Sequence, residues 1–445
     1  MLNILLLHFA LLFLPTADYT SSVLTSCLAN YRCNTKPSSS VGFDYVSGLV
    51  MKATVEAVQA QPDHAGAEAW YQAVRDYGMT YYQNGFSAEP KDLDKLNACK
   101  LYFGLHDVAV SGRFGNEQAV LTACDSALRK AARAFAYYDR TYRISDSVSL
   151  AYSGTLFYSG GWWHKDKYVN EMWCDGQYMG PALLAQLLVR GYVPQGRTEQ
   201  QWWQLLVRQF DITWFQLWNP NDRLLYHAFS AAPELDKAWA DQDNSSWHYG
   251  NSAEYWSRAV GWYMMALVDV LEAMSQTDVA TRQSLLLARE RLNFYLRRLA
   301  AGVAARQDSA TGCWTQLLQY PVGYRAEGCE VANYVEASGS ALFTACYLKA
   351  MRLHLLPESY RLLAERAFRG LVETFLVENV GDGNPLALVY SCASAGLSDT
   401  RKGDAAYYLC GKDVTCITSY TEGKILGAFI MAATEYTLSP SHFPK

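Results

Sequence analysis

Residues 178–189 read YMGPALLAQLLV, and after a short Gly- and Pro-containing connection residues 198–217 read TEQQWWQLLVRQFDITWFQL. The first stretch is apolar nearly all round a 3.6-residue turn, so as a helix it must be covered on every side. The second carries its apolar residues on one face and its charges on the other, so it needs cover on one side only. The pairing recurs along the chain. Residues 262–271, 341–350 and 425–433 belong to the fully covered kind, and 119–138, 279–300 and 357–378 to the half-covered kind.

Helical spacing extends beyond these stretches, as in Trp70, Val74, Tyr77 and Tyr81, or Ala364, Phe368, Leu371 and Phe375, while strand-type alternation is scarce. The pattern predicts an all-α protein of about eleven or twelve helices in two concentric layers. Each inner helix is followed by an outer one, which is the arrangement of an (α/α)6 barrel with six inner and six outer helices. A solenoid of stacked helical pairs would need self-similarity at a fixed period, and the sequence has none. No Pro/Gly/Ser-rich linker divides the chain, so residues 40–440 are expected to form one barrel domain.

The composition narrows the function. Of 445 residues half are hydrophobic and 18% charged, which excludes a disordered or fibrous chain. A net charge of −5, with no run of Lys and Arg that tracks a phosphate backbone, argues against a nucleic-acid partner. Thirteen Trp and 31 Tyr suit a carbohydrate site, because aromatic faces cover the C–H side of a sugar and leave its hydroxyls free. Large helical cores also use aromatics heavily, so this is a hint only.

The apolar run Ile4–Leu14 is too short for a membrane span and fits the hydrophobic region of a secretory signal within residues 1–26. An exported protein is expected, with Cys27 a candidate for lipid attachment. Eleven cysteines without a C-x-x-C pair do not suggest a zinc site or a disulfide scaffold. Cys99, Cys124, Cys174 and Cys346 fall in apolar helical stretches and read as buried thiols. Cys410 with Cys416, or Cys313 with Cys329, are the candidate disulfides.

Nucleotide, nucleophile-elbow and zincin motifs are missing, and no two histidines stand four apart, so neither a cofactor nor a metal is expected. What remains is carboxylates among aromatics, the usual equipment for glycosidic bonds. Asp175, in Glu171-Met-Trp-Cys-Asp-Gly-Gln-Tyr-Met179, opens a fully apolar helix. It is either an N-cap or, beside Trp173, an acid whose pKa desolvation raises until it keeps a proton to donate. Asp94 opens the helix of Leu93-Asp-Lys-Leu-Asn-Ala-Cys-Lys100 and allows the same two readings. Trp256, Arg258 and Trp262 surround another helix start, where a guanidinium between two indoles suits a sugar carboxylate. His164 and His227 lie in loops rich in aromatics. The long connections 158–170, 219–253 and 308–333 either hold function or plug the barrel mouth.

Seven stretches in order along residues 43–438 resemble the motifs of the unsaturated rhamnogalacturonyl hydrolases, glycoside hydrolase family 105. They are Leu93–Lys100, Gly160-Gly-Trp-Trp-His-Lys165, Met172–Met179, Leu225-Tyr-His227, Tyr255-Trp-Ser-Arg-Ala-Val-Gly-Trp-Tyr263, Tyr334-Val-Glu-Ala-Ser-Gly-Ser-Ala341 and Gly423-Lys-Ile-Leu-Gly-Ala-Phe429. The resemblance implies an (α/α)6 barrel that removes an unsaturated uronic acid from the non-reducing end of lyase-generated oligosaccharides. It places Asp175 as the catalytic acid and Asp94 as the second acidic group of the cleft. His164, His227, Trp256, Arg258 and Trp262 fall on sugar-holding positions, with Arg258 the expected partner of the uronate. Two departures are Ala228-Phe-Ser230, where the family commonly has Gly-Trp-Asp, and Val260, where Asn is usual. Family 88, the unsaturated glucuronyl hydrolases, is related and implies the same chemistry on other polysaccharides. A conventional inverting glycosidase using Asp94 and Asp175, or a barrel that binds glycans without cleaving them, are the rival expectations.

Overall fold

The computed structural model describes residues 23–24, 42–235, 237–378, 386–397 and 402–439. The apolar run Ile4–Leu14 and Cys27 lie outside the described residues. Fully buried and half-buried helices alternate as expected. The inner set is α1 Tyr45–Ala60, α3 Leu101–Ser111, α5 Cys174–Met179 with α6 Pro181–Val189, α8 Ser257–Gln276, α10 Ala337–Arg352 and α12 Gly423–Leu438. The outer set among the described residues is α2 Ala67–Tyr81, α4 Gln118–Thr141, α7 Glu199–Leu217, α9 Leu286–Ala304 and α11 Arg361–Phe375. The inner helices pack in turn, with α3 joined to α5 and α6 through the short helices Leu93–Asn97 and Ala98–Lys100 that precede it, and α12 packs on α1, so the inner ring is closed. This is the (α/α)6 barrel that the alternation predicted.

Local chemistry sets the element ends. The stretch around 178–189 is two helices, because Pro181 has no N–H to continue the first and its fixed φ suits the start of a second. Thr198 and Gln201 cap α7 reciprocally, which satisfies two otherwise unpaired amides. The expected helix 279–300 is broken, with a short turn Val279–Ser284 ahead of α9, and 357–378 ends in a strand from Leu376. Where α12 closes the ring on α1, Gly427 is required: a Cβ there would stand 2.5 Å from the Leu49 side chain.

Four two-stranded antiparallel sheets decorate the helix ends among the described residues. In one, β1 Glu171–Trp173 pairs with β2 Ala228–Ser230, setting Trp173 opposite Ala228. The Ala228-Phe-Ser230 departure is therefore a buried strand that anchors the start of α5. In another, β3 Ser391–Cys392 pairs with β4 Cys416–Ile417.

The two ends of the barrel differ. Residues from all six inner helices surround a cavity of about 410 Å³ lined by Lys52, Glu56, Asp107, Asp269, Lys349 and Glu435 among others. Ion pairs there link neighbouring helices: Arg190 to Asp107 at 2.5 Å, Lys349 to Asp269 at 2.6 Å, and Arg352 to Glu435 at 2.7 Å. The N-terminal ends of the inner helices converge at the opposite mouth, where the candidate site lies. One disulfide joins Cys329 to Cys410, with 5.8 Å between their Cα atoms. This corrects both expected pairings, since Cys313 and Cys416 are free. The partners are 81 residues apart, and only the fold brings them together.

Candidate active site

The first turn of α5 carries Asp175 into the barrel mouth. Trp173 takes the N-cap position without a side-chain cap, so Asp175 is the second residue of the helix and its carboxylate is not spent on capping. Asp92 likewise caps the short helix Leu93–Asn97, its carboxylate accepting from the Lys95 amide at 2.7 Å, which leaves Asp94 free for other partners. The capping explanation fails for both acids.

A hydrogen bond from the Cys174 amide to the His227 carbonyl (3.0 Å) couples α5 to β2 and sets His227 behind Asp175. Nε2 of His227 stands 3.2 Å from Oδ2 of Asp175. The two atoms are off line for a hydrogen bond, and each is buried with no hydrogen-bond partner among the described residues. His227 has no exposed surface, whereas the Asp175 side chain retains 14%. Of the two, Asp175 is open to a ligand, and His227 acts on it from behind.

On the neighbouring wall His164 lies 3.3 Å from Asp94, and Lys165 lies 2.5 Å from the other oxygen of the same carboxylate. Lys165 is 24% exposed and Asp94 11%. The His164 ring stacks on Trp173 at 5.4 Å and 11°, and Tyr168 stacks on both, 4.8 Å from Trp173 and 6.2 Å from His164. This close packing depends on Gly176, because a Cβ there would stand 3.1 Å from Nδ1 of His164.

Electrostatics revise the expectation for Asp175. Burial pushes its carboxyl up, but contact with His227 and the nearby His164 outweigh burial and hold it below the ordinary carboxylate range. Desolvation beside Trp173 therefore does not by itself keep a proton on this acid. Burial pushes His164 down despite Asp94, so its imidazole is neutral at neutral pH. Lys165 is the reverse case: burial pulls it down, but Asp94 lifts it above its ordinary value.

Arg258 and Trp262 do not form the expected uronate clamp. Arg258 is 1% exposed. Its Nη1 donates to Ser338 Oγ (3.1 Å) and to the Cys392 carbonyl (2.6 Å), and its Nη2 to the Ala393 carbonyl (3.4 Å). The guanidinium stands 4.5 Å over Trp256, whereas Trp262 packs into the core against Tyr178 at 4.7 Å. The buried Glu336 completes this wall by accepting from the Cys392 amide (2.9 Å) and the Gly339 amide (2.7 Å). The physical reason for the difference is β3, which lies against α8 and α10 and takes up the donors of Arg258. Trp256 does face the site, its ring 4.9 Å from His227.

Two site residues had no signal that singled them out in sequence. Tyr45, at the start of α1, has its hydroxyl in the field of Asp94, Asp175, Arg258 and Glu422. Tyr408, in the short helix Ala405–Cys410, places its hydroxyl 2.7 Å from Nδ1 of His227. The position of Tyr45 at an inner-helix start was a usable clue once the barrel was assumed. Among the described residues no helix is long and apolar enough to cross a membrane, and no group of three or more His, Cys, Asp and Glu forms a metal-ligand set.

Comparison with known proteins matches residues 149–439 to Glycosyl Hydrolase Family 88. The curated 24.9 kDa protein in the picA locus of Rhizobium radiobacter is 35% identical over 195 residues, which are 42% of this chain and 74% of the relative. A family 105 glycoside hydrolase of C. acetobutylicum ATCC 824 superposes with a TM-score of 0.70 at 26% identity, over 95% of this chain and 99% of that one. The unsaturated glucuronyl hydrolase of Bacillus sp. GL1 shares the fold at 13% identity and a TM-score of 0.57, over 96% of each chain.

Proposed function

The chain belongs to glycosyl hydrolase family 88, and on that premise we propose that it releases a 4,5-unsaturated uronic acid from the non-reducing end of lyase-generated oligosaccharides. The observation that carries the reading is that the two carboxylates of the mouth have different partners: Asp175 stands against the fully enclosed His227, whereas Asp94 is paired with Lys165 and His164. Such a site has one principal acid, which suits hydration of an enol ether better than the pair of carboxylates flanking a bond in ordinary glycosidases.

In this reading Asp175 gives its proton to C4, and water adds at C5 of the C4=C5 bond. The adding water returns a proton to Asp175; the C5 hemiketal then opens by breaking C5–O5, and the hemiacetal left at C1 breaks down to an aldehyde, its hydroxyl proton leaving with the aglycone sugar. Asp175 must therefore hold a proton when substrate is bound. A uronate carboxylate brought into the mouth is a like charge, and it raises the Asp175 pKa towards that state. Trp173 and Trp256 cover the sugar ring, and Asp94 and His164 accept or donate to its hydroxyls. Lys165 supplies the cation for the carboxylate in place of the enclosed Arg258.

Rhamnogalacturonan-type fragments are the proposed substrates, supported by the motif resemblance and the likeness to the family 105 enzyme. The apolar run Ile4–Leu14 supports export, where such fragments are met. Incubation with unsaturated disaccharides should abolish their enol-ether ultraviolet absorbance. Cleavage of saturated oligosaccharides with that absorbance untouched, or binding without turnover, would overturn the proposal.

A further inference from the structure

The cavity of about 410 Å³ at the end of the barrel away from the mouth has no part in the proposed reaction. Each carboxylate that lines it is held by a cation. Arg190 holds Asp107 at 2.5 Å, Arg352 holds Glu435 at 2.7 Å, and Lys52 holds Glu56 at 2.7 Å. Lys349 holds both Asp269, at 2.6 Å, and Glu272, at 2.7 Å. Lys100 is different: among the described residues it is the one lining cation with no carboxylate in contact. Its Nζ donates to the Tyr178 carbonyl at 2.6 Å and stands 3.3 Å over the Tyr178 ring, so part of its donor capacity is unused although the side chain is buried.

Two hydroxyls share that need. α12 presents Met431, Thr434, Glu435 and Leu438 to the cavity, the spacing of one helix face. The Thr434 hydroxyl on this face is buried without a hydrogen-bond partner, although a helical threonine has the carbonyl one turn back within reach. The Tyr178 hydroxyl is also buried and unpartnered, and it stands in the field of Lys52, Asp269, Glu56 and Lys349, all of which line the cavity. Buried donors left unpaired are costly, and a group rich in acceptor oxygens satisfies an amine and two hydroxyls at once. Charge selects among such groups. Burial pulls the Lys100 ammonium well below its ordinary value; Asp269 and Glu56 push it back up, while Lys52 and Lys349 add to the fall. A negative charge brought into the cavity offsets that burial, and a neutral sugar does not.

We infer that this cavity is a second ligand site, in which Lys100 and Thr434 hold a small oxyanion, either a phosphate or the carboxylate of a sugar acid. Its volume lies in the range of small-molecule pockets, about 300–1,000 Å³. The inference does not depend on the uronyl hydrolase reading, because the cavity and the mouth are lined by different residues.

Calorimetric titration of the whole chain with inorganic phosphate, and separately with galacturonate, tests it. At least one of the two should bind, and the tighter one shows which source of the oxyanion the cavity fits. Lys100→Met keeps most of the side-chain length without the charge and should weaken this binding at least about tenfold, the factor for one hydrogen bond to a charged group. Thr434→Val should weaken it about fivefold, as for one neutral hydrogen bond. Lys165→Met changes the mouth alone, so binding that persists in Lys165→Met and falls in Lys100→Met is the expected result. No binding of either anion by the wild type, or binding lost equally in both lysine variants or in Lys165→Met alone, overturns the inference. If Lys100→Met does not fold, Thr434→Val decides. The better-binding anion should raise the thermal midpoint of the wild type by mass action and raise that of Thr434→Val less at the same concentration, and equal shifts overturn the inference.

Discussion

Arg258→Lys separates a substrate-reading role from a structural one, and the structure commits to the structural one. Three hydrogen bonds leave the guanidinium, two from Nη1 to Ser338 and the Cys392 carbonyl and one from Nη2 to the Ala393 carbonyl. A lysine ammonium is a point charge without the planar fork, and from this backbone it can meet the first two partners or the third, but not all. Hydrogen bonds to charged groups contribute about 1.5–3 kcal/mol each, so losing one or two costs about 1.5–6 kcal/mol. That is a large share of the roughly 5–15 kcal/mol by which proteins are stable. The assay is a urea titration, in which the midpoint should fall with little change in slope. Turnover per folded molecule should fall by the same factor on a free-acid substrate and on its methyl ester, because β3 and not the uronate loses its anchor. An unchanged midpoint with a loss confined to the free acid would refute this reasoning and restore Arg258 as the carboxylate partner.

Three further predictions follow from the site. Asp175→Asn should lower turnover by several orders of magnitude while substrate binding, measured calorimetrically, persists; near wild-type turnover would take Asp175 out of the chemistry. Gly176→Ala sets a Cβ 3.1 Å from Nδ1 of the buried His164 and should reduce turnover per folded molecule by displacing that ring; unchanged turnover would show that the ring is not needed where it stands. Glu254 has its pKa pushed by burial from the ordinary 4.5 up to about 8. Between those values the folded chain keeps a proton that the unfolded chain releases, so this residue makes stability decline as pH rises from about 4.5 to about 8 and level off above. Glu254→Gln should flatten that decline in denaturant titrations across the window, and an unaltered slope would show that Glu254 is ionised in the fold.

The barrel was legible because burial leaves a direct trace in sequence: a helix like 178–189 without a polar face has no place except an inner layer. The convergence of Asp94, His164, Asp175 and His227 was also readable, since each sits at or just before the start of an inner helix or in the loop beside it. Arg258 misled because its sequence neighbours are two indoles, whereas its real partners, Ser338, Cys392 and Ala393, lie 80 to 135 positions later. Tyr408 and the Cys329–Cys410 disulfide were hidden for the same reason. The pKa of Asp175 was misread because proximity to Trp173 is visible in sequence, while contact with a histidine 52 positions away is a product of the β1–β2 pairing.

The central claim, that Asp175 delivers a proton to C4 and water adds at C5, is tested most directly by following the reaction in D₂O by proton NMR. The vinyl H4 signal of the unsaturated uronate should vanish at the rate of aglycone release, with one deuterium entering C4, and Asp175→Asn should abolish both together. Aglycone release that leaves the vinyl signal on the freed uronic acid would contradict the account, because the bond would then have been broken by direct attack at the anomeric carbon without hydration of the double bond.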